Sequence, residues 1–193
     1  MADHRVDEHG KCLQRLEAAV STNTKAQRLI DSIQALGCSL PKDFMVCRPC
    51  ESAQMSGGFV VPNHSDKSTE YKPQIIMCED NKVAMEKETF EHTLIHELVH
   101  AYDQCRANIN WTDCIQHACT EVRASSLSGE CSFLHELYRG HTTIRGGQGA
   151  CVARRAEISV AMNPNCKGVA ADAIKAAYDE CRKDKAPFNT SKD

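Results

Sequence analysis

His96, Glu97 and His100 stand in the pattern His-Glu-Leu-Val-His. Positions four apart on a helix lie one turn apart on the same face, so the two imidazoles can converge on one Zn²⁺. Glu97 follows the first histidine and can reach the open coordination position, acting as general base toward a zinc-bound water and passing the proton to a leaving amine. Zinc itself brings the pKa of that water toward neutrality and polarises the scissile carbonyl. The spacing thus predicts a peptide-hydrolysing centre, with His96 and His100 as metal ligands, Glu97 as catalytic acid/base and Zn as cofactor.

A catalytic zinc also needs a third protein ligand. Three residues qualify. Glu121 lies on the following predicted helix and is the expected ligand. Asp103 is three residues after His100 on the same helix face, so it could ligate or hydrogen-bond a ligating imidazole. His117 precedes Glu121 by one turn and shares its face. His92 extends the histidine stripe but sits one turn early, as a polar neighbour. His135, Tyr138 and His141 could donate to a developing oxyanion, although a structural role is the more ordinary fate of each.

These residues need elements to hold them. Residues 88–106 predict the strongest helix, with Leu94, Ile95, Leu98, Val99 and Tyr102 on one stripe and His92, His96, His100 and Asp103 on another. A second helix is expected over 112–125, capped by Thr112 or Asp113. Upstream, Gly57-Gly58 before Phe59-Val60-Val61, and Pro73 before Gln74–Cys78, mark short strands of a small sheet. The strand over 74–78 is either an edge that pairs with substrate backbone or an internal partner of 59–61. Residues 11–36 carry apolar positions at helical spacing with a break at Ser21–Thr24. Two further helices run over 149–162 and 169–182 around the turn signal Asn163-Pro164-Asn165. The class is α+β. The organisation reads as an N-terminal helical segment (1–36), a catalytic core (37–145), a C-terminal helical hairpin (146–182) and a disordered tail (183–193).

Composition narrows the function classes. A net charge of −3 gives no electrostatic case for a nucleic-acid partner. No stretch reaches the ~18 apolar residues of a membrane span, and the first eleven residues hold no apolar run like a secretory signal. The 193 residues include twelve cysteines against five Phe, four Tyr and one Trp. A chain of this length does not need staples merely to fold. The single CxxC, Cys47-Arg48-Pro49-Cys50, lacks the second pair of a zinc ribbon and the βαβ setting of a redox motif. Cys151, Cys166 and Cys181 are evenly spaced about the last turn, so in an antiparallel hairpin Cys151 and Cys181 are expected to face each other as a disulfide. Reduced thiols in cytosol or nucleus, as in an adaptor, remain the competing account.

The run Thr93–Arg106 (TLIHELVHAYDQCR), with Trp111 (NWTDC), Cys119–Ala124 (CTEVRA) and Leu127–Cys131 (LSGEC), resembles the mitochondrial inner membrane metalloproteases of the ATP synthase assembly pathway, a cysteine-rich zincin family. The resemblance covers about 37–182. It implies a zincin-like fold, with a small sheet packed on the HExxH helix and a disulfide-stapled C-terminal hairpin. It implies His96, His100 and Glu121 as zinc ligands and Glu97 as the catalytic residue. It further implies a peripheral enzyme on the intermembrane-space side of the inner membrane, imported without a cleaved presequence and retained by oxidative folding. Its implied partner is ATP synthase subunit 6 or its precursor, which such proteases process and help to assemble. A protease-independent assembly chaperone is the alternative.

Overall fold

Asn23 interrupts the first helical stretch and starts the second. Its side-chain oxygen accepts the backbone N–H groups of Lys25 and Ala26, so α1 (Ala2–Thr22) ends where α2 (Thr24–Ala35) is capped. The break therefore falls inside the expected Ser21–Thr24 window. The computed structural model describes residues 2–50, 55–61, 73–141 and 146–188, apart from the side chains of 2–6 and of Tyr138. The chain divides into two compact units, Met1–Cys105 and Arg106–Asp193.

In the first unit a three-stranded sheet follows the two helices. Its order is β1 (Met45–Arg48), β3 (Gln74–Cys78), β2 (Gly57–Val60), with β1 parallel and β2 antiparallel to β3. β3 is thus internal, hydrogen-bonded on both sides, and can accept no further strand; of the two readings left open for it, the pairing with 59–60 is the one adopted. Ile75 and Met77, on one side of the pleat, are fully buried, whereas Ile76 is half-buried. β1 escaped the sequence reading because its four residues, Met-Val-Cys-Arg, are too few and too mixed to show a period of two.

The last helix of this unit, α3 (Lys87–Ala107), buries Phe90, Leu94, Ile95, Leu98 and Val99. Three disulfides close the unit: Cys12–Cys47 ties α1 to β1, Cys50–Cys78 ties the end of β1 to β3, and Cys38–Cys105 ties the chain after α2 to the end of α3. The two CxxC sulfurs go to different partners, which is neither a zinc site nor a redox pair.

The second unit is helical: α4 (Cys114–Leu127), α5 (Phe133–Tyr138), α6 (Gly147–Met162) and α7 (Ala170–Lys183). Asp113 caps α4 by accepting from the N–H groups of Ile115 and Gln116. These two bonds hold its carboxyl below the usual range. α4 packs against both α6 and α7 through Ala118, Val122, Val152, Ala156, Val160, Ala173, Ile174 and Ala177.

The expected Cys151–Cys181 disulfide does not form. Cys151 pairs with Cys131, Cys181 with Cys119, and Cys166 with Cys114. Equal distance from the turn fixes height along a helix pair but not the face. The cysteines of α6 and α7 turn toward α4 and the segment that follows it, so the hairpin is stapled to a third helix instead of to itself. All twelve cysteines are paired, three disulfides in each unit, and none is free.

Beyond α7, residues 184–188 are bonded, contrary to the tail expected from 183. Arg123, 1% exposed, donates to the carbonyl oxygens of Asp184 and Ala186 and pairs with the Asp184 carboxylate at 2.8 Å. Residues 189–193 lie outside the described residues.

Two predictions follow from unit 2. Peptide mapping of the oxidised chain is expected to recover Cys131–Cys151 and Cys119–Cys181, with no Cys151–Cys181 cross-link. The second concerns Glu136, buried on α5. Burial alone would raise its carboxyl, but the Arg154 and Arg139 bonds outweigh that and hold it below the ordinary value. A carboxyl depressed in the folded state stabilises above its unfolded pKa of about 4 and loses that contribution as pH falls through the folded value. Chemical denaturation at stepped pH should show stability falling below about pH 4, with a shallower fall in Glu136→Gln, which starts from a less stable state at neutral pH.

Candidate active site

α3 carries both the core stripe and the reactive residues, and their separation around the helix is what the sequence pattern predicted. His96 is half-buried; Glu97 and His100 are buried at 7% and 4% exposure. The His96 and His100 rings lie with centroids 4.8 Å apart at 78°, edge to face on one side of the helix. Two imidazoles held this way are suited to a shared cation, since each keeps its ring fixed against the other. Asp103 is buried at 2% on the next turn, and His92 is half-buried one turn earlier.

Gly57 on β2 shows how closely the sheet approaches this helix. A Cβ placed there would lie 2.8 Å from Thr93 Cγ2 and 2.9 Å from the Ile76 carbonyl oxygen. Only a residue without a side chain lets β2 run past the turn that precedes His96. β2 pairs with no other described strand on its outer side, so an edge lies beside the first turns of α3.

In the second unit Glu121 is buried at 5% on α4, and its Oε1 lies 3.3 Å from His117 Nε2. The other ring nitrogen of His117, Nδ1, lies 3.2 Å from Asn163 Nδ2, and the Trp111 and His117 rings meet in a T-shaped contact with centroids 5.4 Å apart. Both nitrogens of His117 thus have protein partners, which weighs against it as a metal ligand. His135 is half-buried on α5 and His141 is exposed just after it. The Tyr138 side chain lies outside the described residues. The sequence reading missed Asn163 as part of a site, because Asn-Pro-Asn signals a turn and nothing in its spacing points to His117.

The chain matches the Peptidase M76 family over residues 10–189. It belongs to that family. Among curated relatives, the mitochondrial inner membrane protease ATP23 homolog of Homo sapiens is 36% identical, over 92% of this chain and 69% of the relative. The mitochondrial inner membrane protease atp23 of Emericella nidulans is 38% identical, over 82% and 63%. That of Schizosaccharomyces pombe is 33% identical, over 94% and 92%. This chain therefore spans about two thirds of the human and Emericella proteins and nearly all of the fission-yeast one. No solved structure matches. M76 membership makes the protein a peptidase, and the match runs through both units, so the family includes the helical second half as well as the HExxH helix.

The Gly57 contact can be tested directly. Gly57→Ala should cost about 1–3 kcal/mol, as overpacking does, because one of the atoms in the way is a backbone carbonyl that cannot rotate aside. Denaturant unfolding measures this, and wild-type stability would show that β2 is free to move off α3.

Proposed function

We propose that the protein is a zinc-dependent endopeptidase in which His96, His100 and Glu121 hold the metal and Glu97 is the catalytic acid/base. The observation that carries the reading is the pair of imidazoles one turn apart on α3, with the buried Glu97 next after the first of them in the chain. Two imidazoles and a carboxylate form a donor set suited to a catalytic zinc, which keeps one position open. His100 and Glu121 are buried and His96 is partly exposed, as a site that must also admit a substrate requires. When bound, zinc would supply an acidified water and a polarised carbonyl.

The residues of the chain do the rest. Glu97, held in a poorly solvated place on α3, takes a proton from the attacking water and returns it to the departing amine. His96 and His100 orient each other through their edge-to-face contact. β2, held against α3 at Gly57, offers a strand edge along which an extended peptide could hydrogen-bond through its backbone, the role first considered for β3.

The relatives' names place those proteins at the mitochondrial inner membrane. We infer the same place for this chain, with peripheral attachment: no helix among the described residues is long and apolar enough to cross a membrane. Six disulfides and no free cysteine favour an oxidising compartment over the cytosolic or nuclear account, which supports the intermembrane-space side. ATP synthase subunit 6 or its precursor is the proposed substrate, resting on the family resemblance alone.

Metal content and peptide cleavage, measured together, test the assignment. Glu97→Gln should retain about one zinc per chain while cleavage falls by roughly 10²–10⁴-fold, the usual worth of a general base. Glu121→Gln should lose zinc, and Asp103→Asn should lose less. Unchanged cleavage in Glu97→Gln would sink the catalytic assignment, and zinc lost with Asp103→Asn but kept with Glu121→Gln would move the third ligand to α3.

A further inference from the structure

Asn163, His117 and Glu121 are joined by hydrogen bonds in which the role of each atom is settled by its neighbour. The Asn163 amide has two backbone partners that fix its orientation. Its Nδ2 lies 2.8 Å from the Trp111 carbonyl oxygen, which can only accept, and its Oδ1 takes the N–H of Asn165 at 3.0 Å. A flipped amide would put oxygen against oxygen and N–H against N–H. The remaining N–H of Nδ2 is therefore the one that meets His117 Nδ1 at 3.2 Å, and that ring nitrogen must carry the lone pair. The ring proton then sits on Nε2, which donates to Glu121 Oε1 at 3.3 Å.

We propose that Asn163 and His117 are positioning residues for the metal centre. Asn163 holds His117 in the Nε2–H tautomer, and His117 bonds one oxygen of Glu121 and so fixes the orientation of the carboxylate. This rests on Glu121 being a ligand. Three features of the surroundings support a built arrangement. His117 and Glu121 are buried at 7% and 5%, where an unsatisfied carboxylate oxygen is costly. Trp111 packs on the imidazole in a T-shaped contact and restricts its rotation. The Cys114–Cys166 disulfide binds the turn that carries Asn163 to the first turn of α4, with Cys114 Sγ 3.6 Å from the Asn165 carbonyl. The α6–α7 turn, remote in sequence, thereby acts on α4. Partners of a ligating carboxylate typically govern both the orientation and the strength of the metal bond.

The tautomer can be read in the zinc-free full chain, labelled with ¹⁵N-histidine, by long-range ¹H–¹⁵N correlation. His117 is expected to show the Nε2–H pattern. An Nδ1–H tautomer overturns the proposal without any variant being needed. Zinc affinity by chelator competition is the second readout. His117→Leu and Asn163→Leu should each weaken zinc binding about 10–100-fold. His117→Gln, whose amide can donate to Glu121 and accept from Asn163, should recover most of that loss. Undiminished affinity in folded His117→Leu overturns the positioning role, as does a His117→Gln variant as weak as His117→Leu. Glu121→Gln separates the two layers of the argument. If it leaves zinc affinity unchanged, the ligand assignment has failed; if it abolishes binding while His117→Leu leaves affinity undiminished, only the positioning role has.

Discussion

α3 has to satisfy two demands with one period. One side must be apolar enough to be buried in the core, and the other must keep His96, Glu97, His100 and Asp103 in place with little water around them. Polar groups buried in this way are costly unless the backbone that carries them is held firmly. The helix is held at several points. Phe90, Leu94 and Leu98 are buried, Gly57 lets β2 lie against Thr93, and Cys105 is bonded to Cys38 at the C-terminal end. The reactive pair lies between these anchors, where the helix has least freedom to fray.

The surplus of cysteine over aromatic residues has a related cause. The helices of unit 2 meet largely through alanine, which permits close approach but buries little apolar area per residue. Disulfides compensate. Those of this chain close separations of 20 to 67 residues, and in the chain-entropy account loops of this size are each worth about 3–4 kcal/mol. Arg123 adds a polar anchor where the apolar core runs out, holding residues 184–186 through two carbonyls and a carboxylate. A small apolar core reinforced by covalent and charge-assisted ties can be read as one design.

What the sequence revealed and what it hid follow from the range of the interactions involved. The HExxH helix was legible because its chemistry and its amphipathic period are both local. So were the break at Asn23 and the Asp113 cap, each made by a side chain bonding N–H groups two and three residues on. β1 was hidden because four mixed residues carry no period, and the internal place of β3 was undecided because strand order is a non-local property. The Cys151–Cys181 expectation failed for a similar reason: the spacing gave height along two helices, but a third helix determined which way the sulfurs faced. Asn163 stayed invisible as a site residue because its link to His117 spans 46 positions and depends on a turn being pinned elsewhere.

The distribution of the disulfides also sets the covalent topology of the oxidised chain. Every sulfur from Cys12 to Cys105 pairs within that stretch, and every sulfur from Cys114 to Cys181 within the other. No cross-link bridges the two sets, so the backbone between Cys105 and Cys114 is their only covalent tie. Each set of six can be sorted among roughly 15 possible pairings without reference to the other, a far smaller search than twelve sulfurs sorted together would face. The same arrangement means that one cut in the short segment between the sets would leave two fully oxidised pieces with no covalent link between them, each still closed on itself.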